Sequence, residues 1–151
     1  MGNWIYKGKE YNPTLEEIID EGFVGFVYRI THNETGIKYI GQKKFTRIVR
    51  LAPLKGKKQK RKETRFSDWQ KYWSSSEKLK ELHKSGGDDA FTREILYLCH
   101  GKAIMNYVET LIQFKENVLF SDEYLNGIVN CRINHRQIAK HKDDIPKNLL
   151  N

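Results

Sequence analysis

Residues 25–41, GFVYRITHNETGIKYIG, restrict the fold more than any other stretch of the chain. Aromatic and β-branched residues fill both ends, and HNETG between them supplies turn chemistry. The segment therefore predicts an antiparallel hairpin with strands over 25–31 and 37–41. Each strand carries one tyrosine, Tyr28 and Tyr39. Alternate strand residues share a face, so Tyr28 lies with Phe26 and Ile30, and Tyr39 with Ile37 and Gly41. Register decides whether the phenols meet. If Thr31 pairs with Gly36 around a four-residue loop, Tyr28 sits directly opposite Tyr39; a five-residue loop places them on opposite faces. Two ordinary strand aromatics with satisfied hydroxyls would fit the pattern as well.

The flanking chain is mixed. TLEEIIDEG after Asn12-Pro13 predicts a short capped helix ending at Gly22. SDWQKYW predicts another with Ser67 as its cap, and SSSEKLKELHKSGG a third, with Ser74 and Glu77 as a capping box and Gly86-Gly87 as its stop. AFTREILYLC (90–99) alternates as a largely buried third strand. KAIMNYVETLIQFKENV (102–118) is the strongest helix, with Ile104, Val108, Leu111 and Ile112 on one stripe. The resulting expectation is an α+β domain, a small three-stranded antiparallel sheet flanked by helices. Its parts are an N-terminal helical extension over 1–24, the main domain over 25–131 and a basic polar tail over 132–151. At 151 residues there is length for one core and little beyond.

The formal charge of +8 points to a polyanionic partner, with nucleic acid ahead of an acidic membrane surface. Nearly all of it is local. QKKFTRIVRLAPLKGKKQKRKETR (42–65) holds eleven Lys and Arg residues against Glu63 alone, so the remainder of the chain is slightly acidic. Such a stretch cannot bury itself and reads as a solvated, mobile loop that orders on a phosphate backbone. Lys43, Lys44, Arg50, Lys57, Lys58, Lys60, Arg61 and Lys62 are the DNA-binding candidates. A purely solvated charge run and a nuclear localisation signal satisfy the same composition. Cys99 and Cys131 stand apart with no CxxC partner, the N-terminus has no apolar leader, and no run approaches the ~20 apolar residues of a membrane span. A soluble intracellular protein that does not enter a membrane is expected.

Glu109 is the second residue with chemical promise. It lies beside Val108 at the margin of the apolar stripe, where a carboxylate is costly to desolvate unless paired or bound to metal. There it could hold one Mg²⁺ that keeps most of its waters and takes further ligands from a phosphate. A surface acid paired with Lys102 or with solvent is the plainer alternative.

Together these segments resemble the GIY-YIG nuclease superfamily. FVY followed by YIG is similar to the family's hairpin signature, with Phe26-Val27 standing where the first Gly-Ile pair is usual. WSSSEKLKELHKSGGDDAFTREIL resembles its helix-then-strand segment, NYVETLIQF its glutamate-bearing helix, and YLNGIVN its closing motif. The basic insertion followed by SDWQKYW resembles the stand-alone Seg-type endonucleases of T-even-like bacteriophages.

The resemblance implies a metal-dependent DNA endonuclease, nicking or cutting both strands, that uses Mg²⁺ or Mn²⁺ held by Glu109. Its implied catalytic residues are Tyr28, Tyr39, Arg47, Glu109 and Asn130, with Asn126 the alternative to Asn130. Tyr28 would orient or deprotonate the attacking water, and Tyr39 would help place water and phosphate. The family's arginine usually lies on a helix about ten residues past the second tyrosine. Here position 49 is Val and Pro53 interrupts a helix, so Arg47 is preferred, followed by Arg50, with Lys43 or Arg61 also open. DNA is the implied partner, a homodimer would allow both strands to be cut, and a phage-encoded protein would work in host cytoplasm. The rival reading is a non-catalytic nucleic-acid-binding module of the same fold.

Overall fold

The structure is a computed structural model that describes residues 3–149. The expected hairpin forms from β3 (Gly25–His32) and β4 (Lys38–Lys44), and the third strand, β7 (Phe91–Cys99), pairs antiparallel with β3 on its other side. The sheet nevertheless has five strands rather than three, in the order β2-β1-β7-β3-β4. Its additional members are β1 (Trp4–Tyr6), parallel to β7, and β2 (Lys9–Glu10), antiparallel to β1. The first 24 residues are therefore not a helical extension. Their short helix, α1 (Leu15–Glu21), follows a hairpin built into the main sheet, with Thr14 as N-cap and Gly22 left-handed at its C-terminus.

β3 is an interior strand, and both of its faces are covered. Phe26, Tyr28 and Ile30 enter an aromatic core with Trp4, Phe45, Trp69 and Phe91, where Trp4 meets Phe26 edge-on at 5.0 Å. Val27 on the opposite face packs with Ile40, Cys99 and the apolar stripe of α3 (Lys102–Lys115), namely Ile104, Met105, Val108 and Ile112. Burial of about a dozen large side chains in two layers supplies the main driving force for the fold. α2 (Glu77–Gly86) closes the aromatic face through Leu79, and its cap is Ser76, whose hydroxyl accepts from Leu79 N–H at 3.4 Å, rather than Ser74.

The basic stretch is also not an unstructured loop. β5 (Thr46–Leu51) and β6 (Arg61–Phe66) form a two-stranded antiparallel ribbon of their own, with residues 52–60 at its tip. Thr46, Ile48, Val49 and Thr64 are strand-favouring residues, and their pairing outweighs the repulsion among the cations. The tail is not free either. After α4 (His135–Ile138) the chain returns to the α3 face, where Ile145 and Leu149 pack and Lys115 Nζ donates to Asn148 O at 2.5 Å.

Candidate active site

The hairpin register differs from the simplest expectation and still brings the phenols together. Thr31 pairs with Lys38, so Tyr39 faces Ile30 and Tyr28 faces Gly41. This shift of two residues preserves the face, whereas a shift of one would have reversed it. Tyr28 and Tyr39 become diagonal neighbours with ring centroids 6.3 Å apart. Gly41 makes this fit possible: a Cβ there would stand 2.5 Å from the Tyr28 hydroxyl oxygen and 3.0 Å from the Tyr39 ring. The glycine of the YIG motif is thus the floor on which the Tyr28 ring lies. Between Val27 and Tyr28 the β3–β7 register slips by one residue, a bulge that locally increases twist.

Tyr28 is 1% exposed. Burial, followed by the nearby Tyr72 and Tyr39 hydroxyls and Glu109, raises its pKa well above the ordinary phenol value. Tyr39 is half-buried, shares a 3.0 Å hydrogen bond with the Ser75 hydroxyl, and is also raised, chiefly by burial. Both groups are therefore neutral phenols in the free protein. Tyr72 completes the set, its ring edge-on to Tyr28 at 6.1 Å with Lys43 Nζ 4.1 Å above its centroid.

Glu109 reaches the same place from α3. Its Oε1 accepts from Gln113 Nε2 at 3.2 Å, while its buried Oε2 has no hydrogen-bond partner among the described residues. Gln42, next to Gly41 on β4, lies close enough to temper the carboxyl, but its amide nitrogen donates to Asn106 Oδ1 at 2.5 Å. Burial dominates, and the Glu109 pKa is raised to about 7. The electrostatic influence of Glu109 on both Tyr28 and Tyr39 places all three in one neighbourhood. Among the described residues Glu109 bonds Gln113 and makes no ion pair with Lys102, the surface alternative.

β4 is the edge strand of the sheet, and its coverage explains where the site opens. Lys38 N–H donates to Glu123 O, and Asn126 grips Ile40 at both backbone groups, accepting from N–H at 3.1 Å and donating to C=O at 2.7 Å. Farther along, Lys44 O accepts from Ser67 Oγ at 2.6 Å. Among the described residues no hydrogen bond covers the edge at Gln42, and this gap lies beside Glu109 and the tyrosines. The asparagine brought to the sheet is thus the buried Asn126; Asn130 is exposed and makes no hydrogen bond among the described residues.

The basic candidates separate in space. Lys43 is held at the cluster by its ion pair with Asp68 at 2.6 Å, which lowers the Asp68 pKa. Arg47 lines the adjoining cleft with Lys44, Thr46, Phe66, Ser67 and Asp68, its Nε donating to Phe66 O at 3.4 Å. Arg50 and Arg61 lie farther out on the ribbon, and with Lys44, Lys57, Lys58, Lys60 and Lys62 they are exposed. No sequence motif marks Tyr72, Gln42 or Gln113, and only the adjacency of Gln42 to YIG offered a signal; the serines at 74–76 read as helix-terminal phosphate contacts, and Ser75 instead bonds the Tyr39 hydroxyl.

Among the described residues no three His, Cys, Asp or Glu side chains gather as a metal site. A lone buried carboxylate oxygen without a partner nevertheless suits one hard divalent cation whose remaining positions are taken by water and phosphate.

A tyrosine pair on a hairpin, a helix-borne glutamate and an asparagine clamping the sheet edge define the class: a GIY-YIG endonuclease-type domain. The family model described as "Putative endonuclease segE, GIY-YIG domain" matches residues 4–129, and the chain belongs to that family. Comparison with the curated proteins and with the solved structures returned no match. No helix among the described residues is long and apolar enough to cross a membrane.

Proposed function

We propose that the protein is a metal-dependent DNA endonuclease that hydrolyses a phosphodiester at the open edge of β4. The observation carrying this reading is Glu109: a half-buried carboxylate whose buried Oε2 has no hydrogen-bond partner among the described residues, beside two phenols, in a chain of a nuclease-domain family. A divalent cation such as Mg²⁺ or Mn²⁺, when bound at Glu109, supplies charge neutralisation at the scissile phosphate. Glu109 must first lose its proton, so a pKa of about 7 makes this step pH-dependent near neutrality.

The remaining roles belong to the protein's own groups. Tyr28 remains a phenol, and its fixed hydroxyl orients the attacking water rather than removing its proton in the resting state. Tyr39, steadied by Ser75, positions the phosphate side of the same pocket. Lys43 and Arg47 offer charge to the non-bridging oxygens, with Asp68 occupying Lys43 until a phosphate competes for it. Asn126 holds the Ile40 segment, and hence Gly41, in register. The exposed cations of the ribbon bind the DNA backbone with an affinity that falls as salt rises.

The test is cleavage of supercoiled plasmid with and without Mg²⁺, comparing the parent with Glu109→Ala, Tyr28→Phe, Lys43→Ala and Arg47→Ala. Metal-dependent nicking lost in Glu109→Ala supports the reading. Cutting that survives this substitution removes Glu109 as ligand, and retention of DNA without any cutting replaces the enzyme with a binding module.

A further inference from the structure

We propose that the β5–β6 ribbon is a groove reader, whose face bearing Ile48, Arg50, Lys62 and Thr64 lies in the major groove of B-form DNA. The inference rests on the nuclease reading and deepens it, since it makes duplex DNA with some base preference the substrate.

The register sorts the ribbon into two unlike faces. Arg47 pairs with Arg65, Val49 with Glu63 and Leu51 with Arg61 on one side; Ile48 pairs with Thr64 and Arg50 with Lys62 on the other. Arg47–Arg65 and Arg50–Lys62 set like charges directly opposite each other, an arrangement that weakens an isolated ribbon. The one acid, Glu63, is bound by Arg65 at 2.6 Å, and it lies on the first face. The second face has no acid, and Arg50 and Lys62 make no ion pair among the described residues. A polyanion relieves their repulsion.

Phosphate alone does not account for Ile48, which is 68% exposed on that face beside Arg50 and Lys62. Base edges in the major groove do. Thymine offers a methyl group to Ile48 and Thr64, and guanine offers paired acceptors to Arg50. The dimensions agree, because two strands about 5 Å apart with their side chains fill a groove about 12 Å wide. Among the described residues no other strand pairs with the ribbon, so both edges are open to the groove walls. The exposed Lys55, Lys57, Lys58 and Lys60 at the tip are placed to meet phosphates. At the root, Phe45 is fixed in the aromatic core beside Trp69, and Arg47 lines the cleft next to Lys43. A ribbon seated in the groove therefore leads the adjacent strand toward the site.

The experiment measures binding of the full chain to short duplexes without divalent metal, so that cleavage does not intervene. Methyl green, a major-groove ligand, and netropsin, a minor-groove ligand, serve as competitors, with guanine N7 methylation interference as a second readout. Expected results are displacement by methyl green alone, interference at guanine N7, and loss of at least about fivefold in affinity for the preferred duplex in Arg50→Ala. Ile48→Ala should flatten the ranking among duplexes, with both variants melting like the parent. Displacement by netropsin alone, equal losses across all sequences, or no duplex binding at low salt overturns the proposal. Plasmid cleavage by the parent is read in parallel. Cutting without groove dependence removes the ribbon's role only, and groove-dependent binding without cutting removes the nuclease reading only.

Discussion

The tyrosine cluster and the basic ribbon are built on opposite terms, although only Phe45 separates β4 from β5. Tyr28 itself is buried, and the geometry around it is fixed by neighbours such as Gly41, Asn126 and Ser75. The ribbon is exposed, its cross-strand pairs repel, and its sequence tolerates charge that no core could accept. Precise placement comes from burial and attraction for a polyanion from exposure. One region therefore should respond to substitution through both stability and turnover, and the other through binding alone.

The largest separation is expected at Glu109. Glu109→Gln should lower plasmid cleavage by about 10²–10³-fold or more, the range for removing a preorganised electrostatic group. The same substitution should raise the melting temperature of the metal-free protein above neutrality. Burial raises the folded-state pKa of Glu109 from 4.5 to about 7. The stability of the protonated form is therefore fully present below about pH 4.5 and lost as pH rises through about 7. Near pH 8 the buried charge costs roughly 2 kcal/mol, allowing for partial exposure, and the amide removes that cost. Mg²⁺ should stabilise the parent and not the variant, as a thermal-melt series can establish.

Next comes Gly41→Ala, whose methyl group collides with the Tyr28 hydroxyl. A loss of about 1–3 kcal/mol in denaturant titration is expected, with a fall in turnover of about a hundredfold from displacement of the phenol. Asn126→Ala should cost about 1–3 kcal/mol, because Ile40 N–H loses its partner and Ile40 C=O keeps only the 3.4 Å bond from Gln113 Nε2. Asn130→Ala should leave the melting temperature unchanged. Equal effects at the two asparagines would break the distinction between them. The ribbon pair Arg50→Ala with Lys62→Ala should likewise stay within about 0.5 kcal/mol of the parent. Its effect should appear as lost discrimination among duplexes, whereas Lys57→Ala with Lys58→Ala at the exposed tip should reduce the DNA-binding salt slope by about one for each lost phosphate contact.

Legibility in the sequence followed the same division. The β3–β4 hairpin, β7 and α3 were readable because their hydrophobic periods are local, and Glu109 stood out as an acid at the edge of an apolar stripe. β1 was not readable: Trp4–Tyr6 is a three-residue strand whose partner in β7 lies about ninety residues away, beyond any local pattern. In the ribbon, abundant Lys and Arg masked the strand-forming Thr46, Ile48, Val49 and Thr64. Two residues of register separated the expected Tyr28–Tyr39 pairing from the real one, and the face survived because the shift was even. Tyr72, Gln42 and Gln113 reach the cluster only through tertiary packing.

The most direct measurement is the carboxyl ¹³C titration of Glu109, identified by its absence from spectra of Glu109→Gln, with and without Mg²⁺. The account predicts a midpoint of about 7 in the metal-free protein, falling by a unit or more when Mg²⁺ is added. An ordinary carboxyl midpoint near 4.5 that Mg²⁺ does not move would contradict it.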